Sequence, residues 1–490
     1  MTEAILSRAT TSRTVLTEDW LAVVLGFLVF ALAVGSFLGV DLLGWAVTTS
    51  VWTDFSKALA PAAKAYVGLG GAGALGVTFI ALLAVLSVGA VALGADVKKF
   101  VPAFAVVFAL SYASWIVGSY ASLAVVTPAD QAKFGLNWSL KLTNEGGFLI
   151  ALLVGLIIAN FFPRFADWLK EAIRPELYIK IAIVILGAFI AVTAASKLTL
   201  ASSLLLRGLA AIVEAYLIYW SVVYFVARKW FGFSREWSAP LASGISICGV
   251  AAAISTGGAI RARPQVAVLV SSLVVVFAVI EVLILPFVAQ AFLSHEPLVA
   301  AAWLGLAVKT DGAAVAAGGI TDALIVARNA AEGVHYQPGW ILATTATVKV
   351  FIDVFIGVWS FILAYVWTNH VNVAAGGEKA KFSEIWQRFP KFILGFIATF
   401  AIGLALALHS DAQSLPKLTA AIGQANVFRV IFFILTFFSI GVLSNFRKLW
   451  EDGLGKLAAV YFVSLFGFVI WVGLLISWLF FSGIKPPLAG

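Results

Sequence analysis

Four ionisable residues stand where an apolar chain has least reason to keep them. Lys309 and Asp311 lie in LGLAVKTDGAAVAAGGI (Leu304–Ile320), and Lys349 and Asp353 lie four residues apart in a long apolar run. A charge at the centre of a bilayer costs about 2.5–3.5 kcal/mol on insertion scales. It persists only where it lines a cavity or meets a partner. Lysines in low dielectric can bind an anion, and a Lys–Asp pair can exchange a proton or hold a cation. The i,i+4 spacing of Lys349 and Asp353 lets them pair on one helix face. Gly312, Gly318 and Gly319 beside the first pair predict backbone that departs from plain helix, which membrane depth tolerates only in a protein-lined or watery site.

A second stretch of this kind, Ala239–Ile260, carries Ser243, Ser246, Cys248, Gly249, Ser255 and Thr256. Hydroxyls and backbone N–H groups at a helix start suit an oxyanion. The same hydroxyls equally serve by bonding back to their own helix. Cys248 reads as a small packing residue rather than a redox centre. Glu214 and Glu281 lie inside apolar runs. Glu281 can couple transport to H⁺ as a buried carboxyl, or pair with Lys349 or Arg207. The candidate substrate-binding residues are thus Lys309, Thr310, Gly312, Lys349, Ser246, Cys248 and Gly249, and the candidate ion-coupling residues are Asp311, Asp353 and Glu281.

These residues need elements to hold them, and composition says which. Of 490 residues, 62% are hydrophobic and 11% charged, with a mean hydropathy of +1.04; soluble domains carry about 25% charge. This is an all-α polytopic membrane protein. One Cys and four His leave no disulfide framework within the chain and no metal-ligand spacing, so no cofactor is expected. The net charge of +8 reflects basic cytoplasmic loops rather than a nucleic-acid partner.

A span needs about 20 apolar residues. Eleven runs qualify: Trp20–Leu38, Gly73–Leu93, Phe100–Val126, Gly146–Phe162, Leu177–Ala195, Leu204–Phe225, Gln265–Phe292, Trp340–Trp367, Phe392–Leu408, Phe428–Leu443 and Leu457–Phe481. Pro286 predicts a kink late in the seventh. The first run lacks a convincing cleavage site and reads as an uncleaved span. Trp20, Trp45, Trp340, Trp367 and Trp478 fall near span ends, as an interfacial belt predicts. The segment 163–176 reads as an interfacial helix with Phe165, Trp168 and Leu169 on one face. The glycine-rich run Val67–Gly76 reads as close helix packing.

Positive-inside counting then orients the chain. The basic connections are the N-terminus (Arg8, Arg13), Lys98–Lys99, 164–180, 228–235, Arg261 with Arg263, 379–391 (Lys379, Lys381, Arg388, Lys391) and 447–456 (Arg447, Lys448, Lys456). All fall on one side if the N-terminus is inside and if Ala239–Ile260 and Trp303–Ile320 each enter and return. A broken helix that crosses fully is the competing form of each.

A repeat runs through this plan. Gly147–Leu156 resembles Gly395–Leu404 and Gly208–Leu217 resembles Gly455–Leu465, at offsets of 248 and 247 residues; Ile247–Gly258 resembles Lys309–Gly319. Matched members run in opposite directions, an inverted repeat of the kind found in secondary transporters with a midplane site. The domains read as 1–130 (accessory N-terminal spans), 140–295 (first repeat, broken at 239–260) and 300–485 (second, permuted repeat, broken at 303–320).

Three stretches, SGISICGVAAAIS (Ser243–Ser255), AVAAGG (Ala314–Gly319) with the later ATVKV (Ala346–Val350), and GFIATFAIGLAL (Gly395–Leu406), resemble the bacterial sulfate exporter family over roughly 140–485. That family is similar to inverted-repeat anion transporters that include bile acid/sodium symporters. The resemblance implies an inner-membrane transporter. It matches Ser246, Ile247, Cys248 and Gly249 to the family's first broken segment and Lys349 to a basic position after the second. The chain departs where members show His, an acidic residue and, further on, Gln: here stand Lys309, Thr310 and Ala313.

The expectation is a secondary transporter for a small anion such as sulfate, in a bacterial inner membrane with the N-terminus inside. The coupling ion is Na⁺ or H⁺, the lipid bilayer is its surroundings, and a homodimer is a compatible assembly. In this reading the domain with the two broken segments moves against a scaffold of matched three-span units, elevator-fashion. A cation/proton antiporter or an anion channel on the same scaffold is the alternative. An intramembrane enzyme is disfavoured, because no Ser–His, paired-Asp or metal motif is present.

Overall fold

The computed structural model describes residues 16–125, 128–140, 142, 146–195, 198–371, 386, 390–411, 413–445 and 455–489. Arg8, Arg13, Lys379, Lys381, Arg388, Arg447 and Lys448, which helped to orient the chain, lie outside them. In chain order the main helices are α1 (Glu18–Phe37), α2 (Gly70–Ala92), α3 (Val97–Gly118), α4 (Gly146–Phe161), α5 (Pro163–Leu169) and α6 (Pro175–Ala195). Then come α7 (Ser202–Trp230), α8 (Arg235–Ser246), α9 (Val250–Ala259), α10 (Pro264–Leu293), α11 (Pro297–Ala307) and α12 (Asp311–Ala331). The last four are α13 (Trp340–Val371), α14 (Phe392–His409), α15 (Ser414–Leu443) and α16 (Gly455–Phe481). Among the described residues ten helices are long and apolar enough to span a membrane, and α4 with α5, bent by 118°, makes an eleventh. These match the eleven expected runs. The chain is a nearly all-helical polytopic membrane protein.

Some details differ from the sequence reading. α15 starts at Ser414, well before the expected Phe428, because Lys417, Thr419, Gln424 and Asn426 lower the hydropathy but do not break the helix; Arg429 follows them on the same helix. Its guanidinium lies 4.8 Å over Phe433 and accepts company from Asn426, whose Oδ1 takes its Nε–H at 2.5 Å. Asp411 caps the start by accepting the Ser414 N–H at 2.7 Å, and that bond holds its carboxyl below the usual range. Trp340 and Trp367 are buried within the protein, whereas Trp20 and Trp478 are exposed. On α5, Phe165 and Trp168 are exposed but Leu169 turns inward. In Val67–Gly76 only Gly71 is pressed, against Leu59; Gly68, Gly70 and Gly76 face open space. Pro286 sits within the continuous α10. A small antiparallel ribbon, Val47–Thr49 with Leu59–Pro61, was not foreseen.

The chain forms two compact units: Met1–Leu198 with Lys391–Leu443, and Thr199–Pro390 with Ser444–Gly490. α7 and α16, grouped in the sequence reading with the three-span units, belong instead with the broken segments. In the first unit α4 meets α15 at paired glycines, where small residues let backbones approach. A Cβ on Gly441 would lie 2.9 Å from Gly155 Cα, and one on Gly155 would lie 2.8 Å from Val442 N. Backbone cannot yield as a side chain does. Gly441→Ala is expected to cost about 1–3 kcal/mol by overpacking and to lower the thermal midpoint in detergent. Gly423→Ala, on the same helix with nothing within 4 Å, should not lower it.

The second unit contains two helical hairpins, and cross-hairpin pairs define them. Glu236 accepts from Arg263 Nε at 3.0 Å, Ser243 accepts from Thr256 at 2.7 Å, and Ala239 packs with Ala259 and Ile260. All are symmetric about the α8–α9 break, so the segment folds back. A helix that crossed the membrane would hold Ser243 and Thr256 about 20 Å apart at 1.5 Å per residue. α11 and α12 fold back likewise: Asn329 donates to Ser294 O at 2.9 Å. The intervening α10, 30 residues long, spans about 45 Å and joins the open end of one hairpin to the open end of the other. The hairpins therefore insert from opposite ends of α10.

Candidate functional site at the hairpin tips

The tips meet beside the middle of α10. The α8 helix ends at Ser246, Ile247 adopts φ −106°, ψ −96°, and Gly249 turns the chain into α9 at φ 67°, ψ −108°. Only glycine takes that conformation readily. A Cβ there would lie 2.5 Å from Val274 of α10 and 3.0 Å from Lys309 O. On the other tip Val308 is extended, and Thr310 caps α12 by accepting the Ala313 N–H at 3.2 Å. Gly312 follows, buried in the first turn of α12.

Lys349, buried in the first third of α13, ties the tips together. Its Nζ donates to Ile247 O at 2.7 Å and to Lys309 O at 3.4 Å, and lies 3.9 Å from Asp311 Oδ1. The i,i+4 spacing foretold a pair with Asp353. Instead the ammonium points at the tip carbonyls, and Asp353 contacts Asp311 and Cys248. The Cys248 sulfur and one oxygen each of Asp311 and Asp353 all lie within 4.8 Å of one another. Ser246 Oγ, also buried, has no hydrogen-bond partner. The ammonium thus meets one carbonyl at the C-terminus of α8, where positive charge is favoured, and one in the extended link between α11 and α12, while the N-termini of α9 and α12 aim their positive ends into the junction.

Lys309 points elsewhere. Its Nζ donates to Leu306 O and sits 4.5 Å over the Tyr219 ring. Its N–H donates to Glu281 Oε2 at 2.9 Å. Glu281 therefore pairs with neither Lys349 nor Arg207; its other oxygen accepts from Tyr461 at 3.4 Å, and Arg207 bonds to Ser203. Ser243, Ser255 and Thr256 act as helix pins: Ser243 accepts from Trp220 at 2.9 Å, and Ser255 bonds Ser360 at 2.7 Å. All ten candidate residues thus lie in one unit, around two adjoining tips. Glu214 and Tyr219, which the sequence reading left without a role in the site, stand beside Lys309.

At the open end of the first hairpin a cavity of about 650 Å³ is lined by Arg228, Arg235 and Arg261, with Glu236 and Trp367. Arg261 holds a left-handed backbone (φ 55°), unusual for a side chain of its size.

A family model described as conserved hypothetical protein 698 matches residues 132–460, which include both hairpins, Lys349 and Asp353. The chain is 40% identical over 476 residues to a UPF0324 membrane protein of Nitrosomonas europaea, covering 96% of this chain and 97% of that one. It belongs to the UPF0324 membrane protein family. A UPF0324 membrane protein of Rhodopirellula baltica is 33% identical over 402 residues, 80% of this chain and 64% of the relative. An uncharacterized protein of Archaeoglobus fulgidus is 46% identical over 186 residues, 34% of this chain and 97% of the relative. None of these descriptions names a substrate. No solved structure matches.

Proposed function

We propose that this UPF0324 protein is a secondary transporter of a small anion, with a sulfur oxyanion such as sulfate as the substrate. One observation carries the reading. Two helical hairpins inserted from opposite ends of α10 meet at its middle, each presenting a helix N-terminus to a junction held by a buried ammonium. Interrupted helices that place dipole ends at mid-membrane are how transporters hold polar cargo away from water. The positive ends of α9 and α12 favour an anion. The arginine-lined cavity at the first hairpin's open end would concentrate anions at that mouth. The unit that holds both hairpins is the moving body in this reading, and Asp311 and Asp353 carry the coupling ion, Na⁺ or H⁺.

A second reading draws on the Cys248, Asp311 and Asp353 cluster, which would suit a cation in an antiporter. Lys349, 3.9 Å from Asp311, competes for that carboxylate, so the anion reading is preferred. Purified protein in liposomes loaded with sulfate should take up labelled sulfate by saturable exchange, blocked by excess unlabelled sulfate. Sodium or proton flux indifferent to every anion, with no sulfate exchange, would establish the antiporter instead.

A further inference from the structure

Among the described residues the buried charges of the second unit, apart from Asp322, which accepts the Gly339 and Ile341 N–H groups at the start of α13, form two sets, each of one lysine and two carboxyls. Lys349, Asp311 and Asp353 make the set at the tip junction. Lys309, Glu214 and Glu281 make the other, and nothing above uses it as a unit. The two sets join through the backbone of Lys309, whose carbonyl faces Lys349 and whose N–H faces Glu281.

Glu214 is the unusual member. It is fully buried in a π-helical turn, Glu214–Tyr219, a geometry that recurs at functional sites. Neither carboxyl oxygen receives a well-formed hydrogen bond, and among the described residues the carboxyl's one polar neighbour besides Lys309 is the Tyr219 hydroxyl. The neighbouring Tyr219 hydroxyl commits its proton to Val469 O at 2.8 Å. On the side of α16, Gly473 packs so tightly that a Cβ would fall 2.6 Å from Tyr219 OH and 3.6 Å from Glu214 Oε1, so that wall brings no charge. Among the described residues the one cation facing Glu214 is Lys309, whose ammonium also faces Glu281 and Lys349. With its proton on Val469 O, the Tyr219 hydroxyl can accept from a protonated Glu214 but cannot donate to the carboxylate, and a buried charge with no donor committed to it is among the costliest features a fold can keep. Two carboxylates against one ammonium leave one negative charge over, and one proton makes the set neutral.

We propose that Glu214, Lys309 and Glu281 form a proton-binding site separate from the tip junction, with Glu214 taking up one proton from water and releasing it again. Glu214 becomes a neutral carboxylic acid in the loaded form and a carboxylate facing Lys309 in the empty one. Proton binding stands on these contacts alone; its use as the coupling step, in which this set rather than Asp311 and Asp353 carries the proton, rests on the transporter reading. The site also gives Lys309 a duty other than anion contact.

Infrared difference spectra of the purified full-length protein between alkaline and mildly acid buffer, with no anion substrate present, test this. The proton is the probe, read as the C=O stretch of a protonated carboxyl. That band should lose a component in Glu214→Gln, keep it at a shifted frequency in Glu214→Asp, and keep it in Asp311→Asn. A spectrum unchanged in Glu214→Gln overturns the proposal. Should that variant fail to give monodisperse protein, an unshifted band in Glu214→Asp overturns it equally. In sulfate-loaded vesicles with a trapped pH dye, sulfate-driven proton movement should vanish in Glu214→Gln. If no sulfate moves in the wild type, the transport reading fails while the infrared result still decides the proton site.

Discussion

Lys349→Ala protein, reconstituted at equal density, should pass labelled sulfate at about a hundredth of the wild-type rate or less, a loss of about 2.7 kcal/mol in barrier terms. It should also unfold more readily. The ammonium is buried and donates to one carbonyl on each hairpin tip, so its loss strands Ile247 O and Lys309 O and leaves Asp311 and Asp353 without their nearest cation. Breaking a buried charged network by removing one partner costs about 3–5 kcal/mol. A stable but inactive Lys349→Ala would mean that the tips hold together without the ammonium and that its charge serves the substrate alone. Arg should rescue poorly, because a planar fork cannot replace a compact ammonium among three acceptors. Wild-type flux in Lys349→Ala would remove the junction from the transport site altogether.

Much of this architecture was legible in the sequence, for physical reasons. Lipid demands long apolar helices, so the eleven spans announce themselves. The first hairpin was legible because Arg228 and Lys229 precede it and Arg261 and Arg263 follow it; two basic flanks on one segment are hard to place on opposite sides. The structure realises that as the Glu236–Arg263 clasp. Hydropathy misled at the start of α15, where Lys417, Gln424 and Asn426 lower a window average without ending the helix. Spacing misled at Lys349, because i,i+4 gives proximity along a helix and says nothing of carbonyls brought by other elements. Glu214 and Lys309, 95 residues apart, share no local pattern. Their meeting depends on α7 passing the second tip, which no periodicity encodes.

The same dependence on tertiary approach sets the second large effect. Gly249→Ala should abolish transport and yield protein that is unstable in detergent, although the change adds one methyl group. Two penalties act together. The backbone at φ 67°, ψ −108° lies outside the regions open to residues with a Cβ, which costs of order 1–3 kcal/mol. The new methyl would also stand 2.5 Å from Val274 Cγ1 and 3.0 Å from Lys309 O. Val274 is a β-branched residue on a packed helix and has little freedom to yield, and overpacking of this kind costs about 1–3 kcal/mol more. Relief requires the first tip to back away from α10 or from the second tip, and either motion lengthens the Lys349 bonds to Ile247 and Lys309. Gly319→Ala, on α12 with nothing within 4 Å, is the matched control and should behave as wild type. A Val274→Ala change made together with Gly249→Ala should restore part of the lost thermal stability, since it removes the nearer obstacle and leaves the torsional strain. If Gly249→Ala alone transports normally, the tips are not in contact during the cycle, and the junction described here is not where the anion is held.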